Sequence, residues 1–321
     1  MTEFAKTVSI LIPVYNREKY IAGCIQSALD QTHSHIEVVV SDNQSTDETW
    51  KICKQFAARD SRVRIFQNEI NAGPVRNWLR CAQEARGMFS KMLFSDDLLE
   101  RNCIEMMLLR MTPETAFVLT SARIGESRQT AQITYAERKP LLTWKEYLNR
   151  QLDGRLPDSP CAALMRTSDF LENLKLTFPT CVPRPFERHG AGPDAMSMIL
   201  TAKNYPYVAC IQEPLVFFLA HSGSITVSAR KKRNVSNPVI DGYTSAKSYF
   251  LKKNESWSCW LKYVFRRWLT DMNLRHSWIS FSRYLKDREG DGTMSEYIVV
   301  VLLAPIWISP VIFRKILRTL F

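Results

Sequence analysis

The sequence predicts an α/β fold, with a mostly parallel sheet wound by helices over its first two thirds and a helical, basic C-terminal extension. Three observations predict it. Short β-branched runs alternate with segments of helical spacing through the first hundred residues, the connections between them are short, and the charge balance changes near residue 230. Val8–Ile12 and Ile36–Val40 are almost unbroken apolar runs, the pattern of strands covered on both faces. Val63–Phe66 and Lys91–Phe94 are weaker examples. Between them, Tyr20, Ile21, Cys24, Ile25, Ala28 and Leu29 follow helical spacing. So do Thr49, Ile52, Phe56 and Ala57, with Ser45 and Glu48 placed as a capping box ahead of them. Further strand-like pieces are Phe117–Ser121, Ala162–Met165, Tyr207–Ile211 and Leu215–Leu219.

The chain has 321 residues, 45% hydrophobic and 23% charged, a composition that excludes disordered or fibrous proteins. Its net charge of +11 is concentrated at one end: residues 230–321 hold 17 basic and 7 acidic side chains, residues 1–229 hold 26 and 25. The expected division is therefore a catalytic or binding domain over 1–229 and a basic region over 230–321. With 11 glycines and no G-x-x-x-x-G-K-[ST], a phosphate loop of the P-loop kind is excluded. One G-x-G-x-x-A match, at Gly190, Gly192 and Ala195, follows a polar stretch instead of a strand and reads as chance. Eight scattered cysteines without a C-x-x-C pair argue against a zinc site and fit a reducing compartment. The N-terminus lacks a secretory signal pattern, so a cytoplasmic location is expected.

In wound parallel sheets, ligands sit beyond the carboxyl ends of the strands. Here those ends read Pro13-Val14-Tyr15-Asn16, Ser41-Asp42-Asn43, Asn68 onward, and Ser95-Asp96-Asp97. Carboxylates repeated along one rim repel unless a cation or hydroxyl groups lie between them. Tyr15 either stacks on a nucleobase or covers a loop; Asp42 either accepts from a base N–H or holds the turn that follows it. Asp47 reads as a helix-start residue. Asp96 and Asp97 suit a hard cation, Mg²⁺ or Mn²⁺, and would alternatively open a helix near Leu98. Asp194 heads a helical stretch, as a general base or as a helix N-terminal residue. His221 precedes a Ser/Gly loop whose Ser222 and Ser224 suit phosphate oxygens. Asn71, Arg76 and Asn77 border the same rim, and His33 and His35 form a helix-to-strand connection.

Together, Val8–Asn16, Ser41–Asp47, Asn71–Gly73 and Ser95–Asp97 resemble family 2 glycosyltransferases of the polysaccharide and O-antigen biosynthetic kind. These are inverting enzymes of the Rossmann-like GT-A fold that use nucleotide-diphosphate sugars and a divalent metal. The resemblance covers roughly residues 7–225. It implies donor binding by Pro13, Tyr15, Asn16, Asp42, Asn71, Arg76 and Asp96, with His221 closing the diphosphate side. It implies Asp97 as the ligand of Mg²⁺ or Mn²⁺, and Asp194 as the base that deprotonates the acceptor hydroxyl, with Glu187 and Glu213 in reserve. The chain departs from the family pattern at Ser95, the first position of its D-x-D motif. It departs again at Pro193, where a second acid often precedes the base.

In the basic region, Trp257, Trp260, Val264 and Trp268 recur at helical spacing among Lys262, Arg266 and Arg267, which reads as a membrane-surface helix. Residues 298–313 form a sixteen-residue apolar run containing Pro305 and Pro310. A spanning helix needs about 20 apolar residues, so a re-entrant or interfacial segment is expected, or a helix packed on the first domain. The expected partners are a nucleotide-diphosphate sugar, a glycan acceptor carried on polyprenyl diphosphate, and an anionic membrane surface. The expected location is the cytoplasmic side of the inner or plasma membrane, peripheral or monotopic. Nucleic acid is disfavoured, since sixteen apolar residues have no use against phosphate. A sugar-nucleotide-binding module without transfer activity and a basic nucleic-acid-binding protein remain the open alternatives.

Overall fold

A computed structural model of the chain describes residues 7–180, 186–224 and 238–275, together with residues 281 and 284. The chain divides into two compact units, one of residues 1–177 with 185–231 and one of 178–184 with 232–321.

The first unit is built on a ten-stranded sheet. Its strands are β1 (Val8–Val14), β2 (Ile36–Asp42), β3 (Val63–Gln67), β4 (Phe89–Met92), β5 (Leu98–Leu99), β6 (Thr115–Gly125), β7 (Gln132–Thr134), β8 (Leu141–Thr143), β9 (Ala163–Arg166) and β10 (Tyr207–Leu219). The order is β3-β2-β1-β4-β9-β6-β10-β5, with β7 on β6 and β8 on β10. The first four strands are mutually parallel and their registers align Val14 with Asp42 and Asp42 with Gln67, so their carboxyl ends form one rim. β6 and β10 also run parallel, while β5, β7, β8 and β9 pair antiparallel with their neighbours. β10 is continuous through the expected gap between Ile211 and Leu215; bulges on either side of Pro214 let a residue without an N–H stay in the ladder.

Burial follows the pleat. Ile10, Ile12, Val38 and Val40 enter one core with Cys24, Ile25 and Ala28 of α1 (Ile21–Leu29) and Cys53 of α2 (Thr49–Arg59). Leu11, Val39 and Met92 enter the opposite core with Val75, Trp78, Cys81 and Ala82 of α3 (Pro74–Glu84). The remaining helices of this unit are α4 (Cys103–Leu108), α5 (Trp144–Leu152), α6 (Thr167–Asn173), α7 (Phe186–His189) and α8 (Pro193–Lys203).

Two local expectations change. Ser45 and Glu48 form no capping box: Ser45 donates to Asp42 instead, and Thr49 N–H donates to Asp47 Oδ1 at 3.0 Å, so Asp47 holds the start of α2. No helix opens at Leu98, because Leu98 and Leu99 are drawn into a ladder with β10.

The rim opposite the carboxyl ends carries a buried ionic cluster. Glu37 accepts from Ser9 Oγ at 2.6 Å, Arg86 N–H at 2.6 Å and Arg64 Nη1 at 2.9 Å. Burial opposes its charge, but those three donors outweigh it and hold the carboxyl below its ordinary range. A depressed folded-state value means that the stabilisation is present above the unfolded value and lost as pH falls through the folded one. Glu37→Gln should therefore destabilise the protein at neutral pH, and the gap from wild type should shrink on acidification below the carboxylate range, measured by urea unfolding across pH.

In the second unit, α9 (Pro238–Asn254) packs on α10 (Trp257–Arg275). Trp260 Nε1 donates to Ser248 Oγ at 2.9 Å, Lys252 lies over the Trp260 ring, and Phe281 stands edge-on to Phe265 and Trp268. The expected membrane-facing stripe is thereby corrected. Trp260, Val264 and Trp268 are buried and Trp257 alone of the four is exposed; Trp260 is covered by α9, and Trp268 packs on Phe265 and Phe281. Among the described residues no helix is long and apolar enough to cross a membrane. The apolar run 298–313 lies outside the described residues.

Candidate active site

The carboxyl rim of β1–β4 is held by a network of asparagines. Asn77, on the first turns of α3, is buried; its Oδ1 accepts from Ser41 Oγ and Asn68 Nδ2, and its Nδ2 donates to Ser41 O at 2.9 Å. Asn43 Oδ1 accepts from Asn68 Nδ2 and Ala72 N–H, and Asn43 Nδ2 donates to Asn71 Oδ1 at 2.8 Å. Asparagine suits this place because one side chain both donates and accepts, matching the mixed backbone groups left where parallel strands end. The first residue of α3, Pro74, needs no N–H partner, and Arg76 on the next turn is exposed.

Asp42 is completely buried, and its carboxylate accepts from Ser45 N–H at 3.0 Å, Ser45 Oγ and Gln67 Nε2 at 2.9 Å. It holds the turn after β2. Beside it, Pro13 pairs with Ser41 and is buried, and Asn16 takes a left-handed conformation (φ 50°) that asparagine tolerates. Asn16 N–H donates to Ser45 Oγ, and its Oδ1 accepts Thr46 N–H at 2.8 Å. These bonds join the loops after β1 and β2 and leave Tyr15, 41% exposed, standing outward at the corner.

The turn Phe94–Asp97 follows β4, closed by Asp97 N–H to Phe94 O at 2.9 Å. Its two aspartates differ. Asp97 is turned inward: Oδ1 accepts Leu219 N–H at 3.1 Å and Oδ2 faces Cys161 Sγ at 3.6 Å. Burial and the neighbouring Asp96 charge push its carboxyl well above the usual range, opposed by Leu219, Cys161 and Lys91. Lys91 is fully buried under this turn and donates to Cys161 O. Asp96 is turned to the open side, where Oδ2 meets His221 Nε2 at 2.9 Å and Arg17 Nε at 3.4 Å. His221 Nδ1 accepts Gly223 N–H at 3.2 Å, which leaves Nε2 as the protonated nitrogen facing Asp96. The imidazole lies 4.6 Å from the Tyr20 ring.

Asp194 heads α8 behind Pro193, and its Oδ1 accepts from Gly192 and Ala195 N–H, both at 2.8 Å. Gly190 (φ 68°) passes so close to Trp78 that a Cβ would lie 2.3 Å from the indole. Trp78 in turn lies tilted against Phe94, with ring centroids 5.5 Å apart, and α8 packs against the short turn Pro160–Ala162 that carries Cys161. Gly190, in the loop ahead of α8, thus reaches Phe94 of the aspartate turn through Trp78, while α8 itself packs on the Cys161 turn. Gly190 and Gly192 follow a helix, α7, so the nucleotide fingerprint has no strand behind it. Of the reserve carboxylates, Glu213 is exposed on β10, and the Glu187 side chain lies outside the described part.

The structure thus gathers Asp96, Asp97 and His221 with Arg17, and gathers Pro13, Asn16, Asp42 and Asn71 around the asparagine network beside Tyr15. Arg17, Tyr20, Lys91 and Cys161 join the site without being marked for it by the sequence, and Asn43 is marked only as a strand-tip position. Arg17 nevertheless carried a signal, since it directly flanks a strand-tip residue already singled out; Lys91 and Cys161 carried none.

Chemically, an anionic ligand bound here would meet Arg17 and His221, a hard cation would meet carboxylates, and an aromatic base would meet Tyr15. Comparison with known proteins gives the family. Residues 9–174 match glycosyl transferase family 2, and the chain belongs to that family. Relatives include glycosyltransferase GlyG of Streptococcus pneumoniae, 30% identical over 36% of this chain and 38% of that one. TuaG of Bacillus subtilis, named for teichuronic acid biosynthesis, is 29% identical over 49% of this chain and 62% of that one. The matches thus span less than two thirds of these relatives. The structure of S. aureus TarS residues 1–349 with UDP-GlcNAc is similar in fold, with a TM-score of 0.61 at 20% identity, over 80% of this chain and 70% of that one.

Asn77→Ala should lower the unfolding free energy by about 2 kcal/mol, because it strands the Ser41 hydroxyl and carbonyl inside the rim. Urea unfolding monitored by tryptophan fluorescence measures this.

Proposed function

We propose that the protein transfers a sugar, with inversion, from a nucleotide-diphosphate donor to a hydroxyl of a glycan acceptor. The observation that carries the reading is the meeting of Asp96, His221 and Arg17 at the strand tips; the loop ahead of Asp194 reaches the same turn through Gly190, Trp78 and Phe94. In this reading Tyr15 stacks on the base, while Asp42 and the asparagines keep the corner rigid. Arg76 borders the donor from α3.

A divalent cation, Mg²⁺ or Mn²⁺, fits the donor set. Such ions bind through one or two carboxylates and substrate phosphates, and among the described residues no three His, Cys, Asp or Glu side chains are arranged to hold a metal ion by themselves. The sequence expectation put the cation on Asp97; the inward turn of that carboxylate favours Asp96 as the ligand, with Asp97 buttressing the turn from behind. When bound, the cation would supply charge compensation to the departing diphosphate. Asp194 accepts the proton of the acceptor hydroxyl. The oxygen then forms its bond to the anomeric carbon on the face opposite the diphosphate, whose oxygen leaves with the bonding electron pair. His221 Nε2–H would stabilise charge on the same side.

The name of TuaG, for teichuronic acid biosynthesis, supports a polymeric acceptor, and a lipid-linked one goes with the membrane reading that follows. The net positive charge of 230–321, the exposed Trp257 and the apolar run 298–313 support attachment to an anionic membrane surface on its cytoplasmic side.

Asp194→Asn should lower transfer at least about a hundredfold while donor affinity stays within a few-fold. Release of labelled sugar from a panel of nucleotide sugars, alongside equilibrium binding of each, measures both. Near-normal turnover in this variant would overturn the assignment. Chelating divalent ions should abolish turnover, and adding back Mn²⁺ or Mg²⁺ should restore it.

A further inference from the structure

Arg17 occupies an unusual position between the two halves of the donor site. Its backbone N–H donates to Thr49 Oγ1 at 2.8 Å, and its Nη1 donates to the carbonyls of Asn16 at 3.0 Å and Tyr15 at 3.4 Å. The same guanidinium presents Nε to Asp96 Oδ2 at 3.4 Å. The Arg17 backbone and one guanidinium nitrogen are thus held at the corner that carries Tyr15, while Nε points at the aspartate turn. The side chain is 25% exposed and Asp96 17%, so the pair is partly screened and neither partner is locked in the interior.

Arg17 and His221 both lie on Asp96 Oδ2, so a divalent cation taken on either oxygen would draw the aspartate's charge away from Arg17. A guanidinium held within a few ångströms of that cation would be repelled from it, and the aspartate's charge would already be committed. The displaced arginine then needs an anion within reach of its anchored stem. A diphosphate bridging the base corner and the aspartate turn would lie along the span that Arg17 already covers. Guanidinium matches phosphate oxygens in both charge and geometry.

We propose that Arg17 is a partner-exchanging residue of the donor site: it neutralises Asp96 while the site holds no cation, and moves to the diphosphate once a divalent cation takes Asp96. This rests on the glycosyl-transfer reading above. The exchange has a directional consequence. Arg17 opposes the binding of a cation alone and favours the binding of a nucleoside diphosphate, so the two ligands should enter together. A residue that only braced the loop through its carbonyl bonds would affect both ligands in the same sense.

The test is calorimetric titration of the full chain with Mn²⁺ alone and with UDP in saturating Mn²⁺. For Arg17→Gln, Mn²⁺ alone should bind about threefold or more tightly, because a competitor for Asp96 is gone, while UDP with Mn²⁺ should bind about tenfold more weakly. Arg17→Lys should keep most of both wild-type values. Asp96→Asn gives a second reading that survives if Arg17→Gln fails to fold: freed of its carboxylate, Arg17 should bind UDP without metal several-fold more tightly than wild type does. Arg17→Gln weakening both ligands, or changing neither, would overturn the exchange; so would metal-free UDP binding unchanged in Asp96→Asn. Wild-type protein that binds neither Mn²⁺ nor UDP would instead overturn the transfer reading, and the exchange with it.

Discussion

Leu98 and Leu99 pair antiparallel with Phe217 and Val216, and that two-residue ladder decides where two distant parts of the chain meet. It begins immediately after the aspartate turn and lies at the end of the longest strand in the sheet. The pairing sets Leu219 N–H against Asp97 and lets the next residues curl back so that His221 reaches Asp96. Without this ladder the His221 loop has no reason to lie on the rim of β1–β4, since β10 is separated from β4 by β9 and β6. This charge cluster is therefore a product of sheet topology, and its contacts between the aspartate turn and the end of β10 join segments more than a hundred residues apart.

The site places polar groups where water cannot easily satisfy them, and the fold answers in two ways. At the corner of β1, β2 and β3, side-chain amides and hydroxyls bond to one another and to backbone, so the loops that would carry the base-recognising residues are rigid before any ligand arrives. At the aspartate turn, two carboxylates stand next to each other. One is buried, supported by an N–H and a thiol with the Lys91 charge beneath it; the other is shared by an arginine and a histidine. Adjacent carboxylates cannot both be left to repel, and this arrangement gives them opposite environments.

The strand–helix alternation of the first hundred residues was readable because each element carries its own period, apolar on successive positions for strands buried on both faces and three-to-four spacing for the helices. The strand-tip residues were readable for the same reason, since knowing where a strand ends says which side chains reach the rim. The difference between Asp96 and Asp97 was not readable. Adjacent residues on a turn point in opposite directions, and only the partners that arrive from β10, from the loop after β1 and from the Pro160–Ala162 turn say which one faces inward. Trp260, Val264 and Trp268 teach a related lesson: an apolar helical stripe reveals that it must be covered, while the choice between lipid and a neighbouring helix belongs to the packing.

The sequence by itself determined the α/β architecture of the first unit, the rim on which chemistry can occur and the polar residues delivered to it. It did so because local periodicity and strand ends are local properties. Tertiary structure alone decided that Arg17 and His221 converge on Asp96, that Asp97 is withdrawn, and that buried Lys91 and Cys161 support it from behind. Those relations are contacts across long sequence separations, set by strand order and pairing register, and no window of neighbouring residues contains them.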